Sequence, residues 1–181
     1  MDSYAENPPS TMPDAKVSPP TRSSGSTQNT TKRLQTELMN LMLSNTPGIS
    51  AFPSDATSLL HWTATIDGPA DTPYANLTFK LTFEFPSSYP LQAPTVLFKT
   101  PIYHPNIDFS GRICLDILKE KWSAIYNVQS VLLSLQSLLG EPNNASPLNG
   151  KAAELWDSDP EEFQRQVLAR HRDLTDEEME I

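Results

Sequence analysis

Three stretches of the chain alternate apolar and polar residues with the period of two that is typical of β-strands. Because alternate side chains of a strand point to opposite faces, each stretch predicts a strand with one buried face. The predicted strands run from Leu60 to Ile66, from Leu77 to Phe85 without a break, and through the short pair Val96 and Phe98.

Four other stretches carry apolar residues at the spacing of one helical face, which predicts four helices. The first is expected to end at Pro47-Gly48 and the longest at Gly140. Asp159 as N-cap, with Pro160 at the first helical position and a glutamate behind it, is expected to open the last helix. The apolar positions are Leu34, Leu38, Leu41 and Met42, then Val128, Val131, Leu132, Leu135, Leu138 and Leu139, then Ala152, Ala153, Leu155 and Trp156, and then Phe163 and Val167.

The order of these elements is a helix, three or four antiparallel strands, and then further helices. This order predicts an α+β fold in which helices cover one face of an antiparallel meander. Residues 99–127, between the last strand and the longest helix, show no clear period. Long irregular segments inside a compact domain are uncommon and often functional, so this segment is where chemistry is expected.

The two ends of the chain differ in composition from the middle. Residues 1–29 contain five prolines and many Ser, Thr and Asn residues, but almost no large aliphatic residue. Such a segment cannot bury enough apolar surface to offset its ordering entropy, so we predict a disordered extension that is either solubilising or regulatory. Residues 30–172 form the predicted folded domain, and residues 173–181 form an acidic tail that is expected to fray.

Composition and charge restrict the possible functions. The net charge is −9, and residues 150–181 alone hold ten acidic and four basic side chains. Nucleic-acid binding is disfavoured, since phosphate contacts need clustered Lys and Arg. No apolar run approaches the roughly 20 residues of a membrane span, and the first residues lack the basic and apolar regions of a secretory signal. A chain with a reduced thiol and no signal is expected in the cytoplasm and the nucleus.

The one cysteine of the chain, Cys114, lies inside the irregular segment. A single thiol excludes an internal disulfide, and no metal-ligand spacing surrounds it, so no metal site is expected. Two interpretations remain, an inert buried residue and a nucleophile. Composition alone favours the inert residue, and the irregular, Gly-, Ser- and Asp-rich surroundings weaken that interpretation. The nearest cation in the sequence is Arg112 and the nearest histidine is His104, so a strongly activated thiolate is not indicated.

The triplet His104-Pro105-Asn106, followed by Cys114 and Trp122, resembles the active-site signature of ubiquitin-conjugating enzymes. The preceding segment Ser87–Pro94 resembles the Tyr-Pro-x-x-Pro loop of the same family. The similarity extends over residues 32–170, which is nearly all of the predicted domain.

The resemblance implies a fold with an N-terminal helix, a four-stranded antiparallel meander, a long central helix and C-terminal helices. It also implies a ubiquitin carrier, in which Cys114 accepts ubiquitin from the activating enzyme as a thioester and passes it to substrate lysines with a ligase. The activating enzyme uses ATP upstream, so no bound cofactor is expected. The alternatives are a catalytically inactive ubiquitin-binding variant of the same fold and a Cys-His hydrolase, which would need a histidine near the thiol.

Three further residues are candidates for the reaction itself. The amide of Asn106 can stabilise the negative charge that aminolysis builds on the carbonyl oxygen, or it can shape the loop. Asp116 and Ser146 can orient an incoming lysine and help it lose a proton. Some relatives carry an acid where this chain has Ala145 and Ser146, so Ser146 is predicted either to gate the site or to cap a helix before Pro147.

The resemblance assigns supporting and binding roles to other positions. His104 and Pro105 hold the active-site loop, and Tyr89 and Trp122 brace it as core aromatics. The binding positions are Lys32 and Arg33 for the activating enzyme and the ligase, Leu91 with Ser123 and Ala124 for the ligase, and Leu133 with Ser137 for donor ubiquitin. Ordinary solvation is the alternative for the two cations. A core position is the alternative for the two helix residues, and it is stronger for Leu133.

Three runs resemble one branch of the family, the cyclin-selective mitotic branch that works with the anaphase-promoting complex, a RING-type ligase. These runs are Ile113–Ala124, Ser134–Asn143 and Ala152–Trp156. An N-terminal extension is also typical of that branch. The resemblance therefore implies a role in mitotic protein degradation during the cell cycle.

Overall fold

The computed structural model of the chain describes residues 24–179. Its helices and strands follow the predicted order and confirm the α+β fold. They are α1 (Ser24–Ser44), β1 (Ile49–Asp55), β2 (Ser58–Asp67), β3 (Thr78–Glu84), β4 (Thr95–Phe98), α2 (Val128–Gly140), α3 (Gly150–Ser158), α4 (Pro160–Arg170) and α5 (Asp176–Met179), with a short 3₁₀ turn at Asp116–Leu118. No helix in the described part of the chain is long and apolar enough to span a membrane.

The four strands form one antiparallel sheet in the order β1-β2-β3-β4. The alternation seen in the sequence places the apolar residues of β2 and β3 opposite one another on the inner face. The buried cross-strand pairs are Trp62 with Phe83, Ala64 with Leu81, and Ile66 with Phe79.

Strand β1 was not predicted by the pattern of apolar residues, because it lies at the edge of the sheet. Ala51 is its one buried residue. Pro53 lacks a backbone N–H, and an edge strand tolerates this because one of its sides makes no ladder hydrogen bonds.

Helix α2 supplies the central layer of the core. Six of its residues are buried, namely Val128, Val131, Leu132, Leu135, Leu138 and Leu139. Its N-terminus is closed by a capping box, in which the Asn127 side chain accepts from Ser130 N while the Ser130 hydroxyl accepts from Asn127 N. The start of α2 is therefore fixed, which matters for the loops that precede it.

Both ends of the described chain differ from the prediction. Helix α1 begins at Ser24, so residues 24–29 of the predicted extension are helical, whereas residues 1–23 lie outside the described residues. At the other end, the segment that was expected to fray contains the short helix α5 and contacts β3 through Lys80. Lys80 Nζ donates to Leu174 O at 3.2 Å and lies 3.9 Å from Asp176 Oδ1. Residues 180–181 also lie outside the described residues.

Candidate active site

The segment between β4 and α2 folds back on itself and against the edge of the sheet. Gly111 N donates to Asp108 O at 3.0 Å, and Phe98 N donates to Gly111 O at 2.9 Å. Gly111 has a φ of +88°, and a Cβ at this position would lie 1.9 Å from Phe98 O, so only glycine fits here. Asp108 caps the turn, and hydrogen bonds from Ser110 and Arg112 hold the pKa of its carboxyl well below the usual range.

Cys114 follows this turn and is partly exposed as a free thiol. Its backbone N donates to Asn106 O at 2.9 Å, which places the thiol segment beside the His-Pro-Asn triplet. The nearby guanidinium of Arg112 is paired with Asp108, with Nε 2.7 Å from Oδ2. The cation closest to Cys114 in sequence is therefore engaged with another group.

His104 is fully buried, and both of its ring nitrogens have backbone partners. Nδ1 accepts from Asn106 N at 2.9 Å, so Nε2 carries the hydrogen and donates to Leu138 O at 2.7 Å. Burial lowers the pKa of His104 from 6.5 to about 4, although the hydrogen bond to Leu138 opposes this shift. The ring is neutral near pH 7 and cannot serve as a base for a thiol, which supports the supporting role expected of it.

The other two histidines of the chain are also committed elsewhere. His61 is exposed on β2 with Nε2 at 3.9 Å from Glu84 Oε1, and His171 Nε2 contacts Thr78 O at 3.0 Å. A Cys-His hydrolase needs a histidine hydrogen-bonded to the thiol and oriented by a third group. None of the three histidines offers this arrangement.

Asn106 is fully buried and joins the thiol loop to the segment that follows α2. Its Nδ2 donates to Asn143 O at 2.7 Å and to Ser146 O at 3.3 Å, and its Oδ1 accepts from Asn143 N at 2.8 Å. The neighbouring Pro105 O accepts from Leu148 N and Asn149 N at 2.8 and 3.0 Å. Both amide hydrogens of Asn106 are thus used to shape the loop, and its action on an oxyanion stays a prediction.

Asp116 lies two residues beyond Cys114 and forms an ion pair with Lys121. Lys121 Nζ is 3.0 Å from Asp116 Oδ2, and Ile117 N donates to Asp116 Oδ1 at 2.8 Å. The hydrogen bond from Lys121 lowers the pKa of the Asp116 carboxyl. Asp116 is therefore ionised at neutral pH, so it can attract an ammonium group but is a weak proton acceptor.

Ser146 is exposed in the segment held by Asn106. The alternative in which Ser146 caps a helix is wrong. Helix α3 begins at Gly150, and its N-cap is Asn149, whose side chain accepts from Ala152 N at 3.1 Å. A gating role for Ser146 is the alternative that remains.

Two exposed loops lie side by side, the first at residues 85–94 between β3 and β4 and the second at residues 119–126 before α2. Leu91 in the first loop is 81% exposed, and Ala124 is exposed in the second. Trp122 Nε1 donates to Pro90 O at 2.9 Å and ties the loops together. Ile125, also 81% exposed, was not singled out from the sequence, although its position next to Ala124 was a usable signal.

Tyr89 and Trp122 occupy the space between these two loops. Tyr89 is buried, and its ring centroid lies 5.9 Å from that of Trp122. The ring of Tyr89 also packs edge-on against Phe85 at 4.8 Å. The two aromatics therefore pack between the exposed loops, and their bracing of the active-site loop stays a prediction.

The remaining predicted binding residues lie on α1 and α2, and they differ in whether the side chain is exposed or hydrogen-bonded within the domain. Lys32 is exposed, but the Arg33 guanidinium donates to Glu37 Oε1 at 2.7 Å and to Tyr126 O at 2.8 Å. Leu133 is 39% exposed beside the exposed Ser137 on the same face of α2. A core position for Leu133 is therefore wrong, and both helix residues are accessible to a partner.

Comparison with known proteins agrees with this geometry. The sequence matches the family model described as ubiquitin-conjugating enzyme over residues 33–171. It is 62% identical over 144 residues to the ubiquitin-conjugating enzyme E2-20 kDa of Schizosaccharomyces pombe, covering 80% of this chain and 82% of that protein. It is 46% identical over 137 residues to the ubiquitin-conjugating enzyme E2 3 of Arabidopsis thaliana, covering 76% and 91%. The chain belongs to the ubiquitin-conjugating enzyme family.

Membership in the ubiquitin-conjugating enzyme family confirms the expected class of activity. The protein is a transferase of the ubiquitin pathway, and its partners include ubiquitin, an activating enzyme and a ligase.

Acid should weaken the fold of this ubiquitin-conjugating enzyme through His104. In the unfolded chain the ring takes up a proton near pH 6.5, whereas in the folded chain it does so only near pH 4. Stability should therefore fall as the pH drops through this window, by about 3 kcal/mol from this group. Urea unfolding at several pH values between 7.5 and 4 measures the slope of the free energy of unfolding against pH.

The His104→Gln variant is the matched control for this measurement, because it has no ring to titrate. Its slope between pH 6.5 and pH 4 should be shallower than that of the wild type, whatever its overall stability. Equal slopes in the two proteins would show that other groups cause the acid sensitivity. An NMR titration of the ring gives the folded-state pKa directly.

Proposed function

We propose that Cys114 carries ubiquitin as a thioester between the activating enzyme and substrate lysines. One observation supports this proposal most. The Cys114 thiol is partly exposed in a loop that His104 and Asn106 fix, and none of the three histidines is available as its base. A hydrolase needs such a base to attack an amide. A carrier receives its acyl group from a thioester that is already reactive, and therefore does not.

The first step is a thiol–thioester exchange, in which ubiquitin passes from the activating enzyme to Cys114. The Cys114 thiolate attacks the carbonyl carbon of ubiquitin bound to the activating enzyme, a new C–S bond forms, and the thiolate of the activating enzyme leaves. One C–S bond replaces another, so the step needs no cofactor.

The second step is aminolysis. The uncharged amine of a substrate lysine attacks the same carbonyl carbon, an amide bond forms, the C–S bond breaks, and the departing Cys114 thiolate takes up the proton that the nitrogen loses. The lysine arrives as an ammonium, with an ordinary pKa of roughly 10.4, and must lose a proton first. Asp116 attracts this ammonium, and since its own pKa is low, the proton passes to water. Ser146 is exposed in the segment that Asn106 holds, and we assign it the gating role.

One gel tests the proposal and its rivals. The protein is incubated with the activating enzyme, ubiquitin and ATP, and is then separated with and without reductant. An adduct that disappears with reductant supports the carrier. No adduct would support a catalytically inactive ubiquitin-binding variant, and cleavage of ubiquitin chains would support a hydrolase.

We further propose that the ligase is the anaphase-promoting complex and that the protein acts in mitotic protein degradation, in the cytoplasm and nucleus. The support is the resemblance of three runs to the cyclin-selective branch of the family. Two of them lie at functional positions. Ile113–Ala124 spans Cys114, Asp116 and part of the second exposed loop. Ser134–Asn143 spans the end of α2, where Leu138 contacts His104, and reaches Asn143, which contacts Asn106.

Deleting the N-terminal extension should leave the domain stable and still able to charge Cys114. Only ligase-dependent chain assembly is expected to change, since a polar, Pro-rich segment acts only on a surface that it reaches. Because α1 begins at Ser24, the cleaner truncation removes residues 1–23, and removal of residues 1–29 also shortens the helix. Melting temperature, single-round charging and chain assembly with the anaphase-promoting complex are compared for the three proteins.

A large fall in melting temperature for the shorter truncation would show that the extension packs on the domain. Unchanged chain assembly would leave the extension with a solubilising role only.

A further inference from the structure

A buried carboxylate lies away from the thiol, where α1, the loop after β3 and the start of α2 meet. Glu37 is 5% exposed although it belongs to the first helix, whose outer face is polar. A buried charge is costly unless it is paired and hydrogen-bonded, so its partners show what it does. The reaction proposed for Cys114 makes no use of it.

Both oxygens of Glu37 are hydrogen-bonded by groups from different elements. Oε1 accepts from Arg33 Nε at 2.7 Å and from the Tyr89 hydroxyl at 2.6 Å. Oε2 accepts from Val128 N at 2.9 Å. Val128 is the first residue of α2, where the backbone N–H has no helical partner and the helix dipole favours a negative charge.

These partners connect Glu37 to the first exposed loop. Tyr89 lies two residues before Leu91, and Thr30 on α1 donates its hydroxyl to Tyr89 O and Ser87 O at 2.8 Å each. Burial raises the pKa of the Tyr89 hydroxyl, so it stays a hydrogen-bond donor to Glu37 at all working pH values. The backbone under Leu91 is therefore held from α1 at two points.

The same cluster also holds the second exposed loop. Arg33, while bound to Glu37, donates from Nη2 to Tyr126 O at 2.8 Å, one residue after Ile125. The indole N–H of Trp122 donates to Pro90 O and completes the link between the loops. The end of this loop runs directly into Asn127 and Val128, where Glu37 contacts α2.

We infer that Glu37 is a positioning residue that fixes the two exposed loops relative to each other and to α2, so that a ligase can dock on both. The inference rests on the proposed ligase role of Leu91, Ser123 and Ala124. In this arrangement Arg33 supports ligase docking indirectly, by holding the second loop in place. Its guanidinium is bound to Glu37 and Tyr126 and is only 29% exposed.

Energetics favour this interpretation over a purely stabilising one. Replacing both members of a buried ion pair by apolar side chains is often neutral or stabilising, so the pair as a whole adds little net stability. Removal of Glu37 alone takes the acceptor from Arg33 Nε and Val128 N and should lower the melting temperature, which is why a destabilised control is needed. Hydrogen bonds, in contrast, fix distance and direction, and Glu37 is at the centre of contacts from three segments. Its loss should therefore disturb the geometry of the loops more than the chemistry at Cys114.

The test uses the full chain with Glu37→Leu, which removes the carboxylate and keeps a side chain of similar size. The probe is the RING domain of a ligase that accelerates discharge of the wild-type protein to free lysine. Charging and ligase-free discharge should stay within about twofold of wild type, whereas ligase-stimulated discharge should fall about tenfold in Glu37→Leu.

Val167→Ala is the matched control, because it opens a cavity under α4, away from both loops. All proteins are assayed well below their melting temperatures, and the Glu37→Gln variant, which keeps one acceptor oxygen, should recover part of the stimulation. The inference is overturned if stimulated and unstimulated discharge fall together, or if stimulation falls no more than in Val167→Ala. If no RING domain from a panel accelerates the wild-type protein, the ligase role of the loops fails, and this inference fails with it.

Discussion

Cys114→Ala will give no ubiquitin adduct of any kind after incubation with the activating enzyme, ubiquitin and ATP. Alanine removes the sulfur and leaves the backbone hydrogen bond from residue 114 to Asn106 O in place, so the fold should be retained. The loss of activity should be complete, because Cys114 is the only cysteine in the sequence. A reductant-free gel measures the adduct, and the melting temperature checks the fold.

Cys114→Ser is a second variant that tests the same assignment of the nucleophile. The serine hydroxyl can accept ubiquitin as an oxyester, and an alkoxide is a poorer leaving group than a thiolate. We therefore expect a slowly formed adduct that survives reductant but is cleaved by hydroxide. If Cys114→Ala still carried ubiquitin, the assignment of the nucleophile would be wrong, and the adduct would have to be mapped by mass spectrometry.

Asn106→Ala should slow lysine-dependent discharge by about 10²–10³-fold, which is the usual cost of losing one donor to a developing oxyanion. Charging by the activating enzyme should suffer less. The structure adds a second cost, because alanine also removes three hydrogen bonds to Asn143 and Ser146. Single-turnover discharge with free lysine and a separate charging assay resolve the two steps.

The two roles of Asn106 are separated by their effect on stability. The Asn106→Asp variant places a carboxylate oxygen against the carbonyl oxygens of Asn143 and Ser146, so it should weaken the loop more than alanine does while losing the same catalytic donor. Similar discharge defects in the two variants, at different melting temperatures, would support action on the oxyanion. Defects in charging, discharge and melting temperature that rise together would show that Asn106 only shapes the loop.

Much of the fold could be predicted because the sheet is buried on one face only. The alternation in β2 and β3 is a direct consequence of that burial, and the Asp159 side chain accepts from Glu162 N at 3.0 Å at the predicted start of α4. Strand β1 escaped prediction because a single buried residue leaves no period to detect. The first ten residues of α1 contain no large apolar residue, so their helical state left no pattern in the sequence.

The residues of the candidate site could be predicted from the sequence, but their hydrogen-bond partners could not. His104, Asn106 and Cys114 are close in sequence, so a motif could reveal them. Their partners are Leu138 in α2 and Asn143 in the segment after it. No local pattern shows which backbone oxygen a side chain will reach. Glu37 illustrates the same limit: its spacing of four from Arg33 suggests a surface ion pair, and only the tertiary fold buries it.

The hydrogen bond from His104 to Leu138 O also bears on when the protein becomes active during synthesis. The two residues are 34 positions apart, and Asn106 and Asn143 are 37 apart. Contacts across such separations form only when the intervening chain closes on itself, whereas the sheet is built from neighbouring strands. A nascent chain that has just exposed Cys114 to solvent has not yet released α2 or the segment after it from the ribosome. Until it does, the loop around Cys114 lacks both of these hydrogen bonds, so we expect a chain that ends before Asn143 to fail in the charging assay.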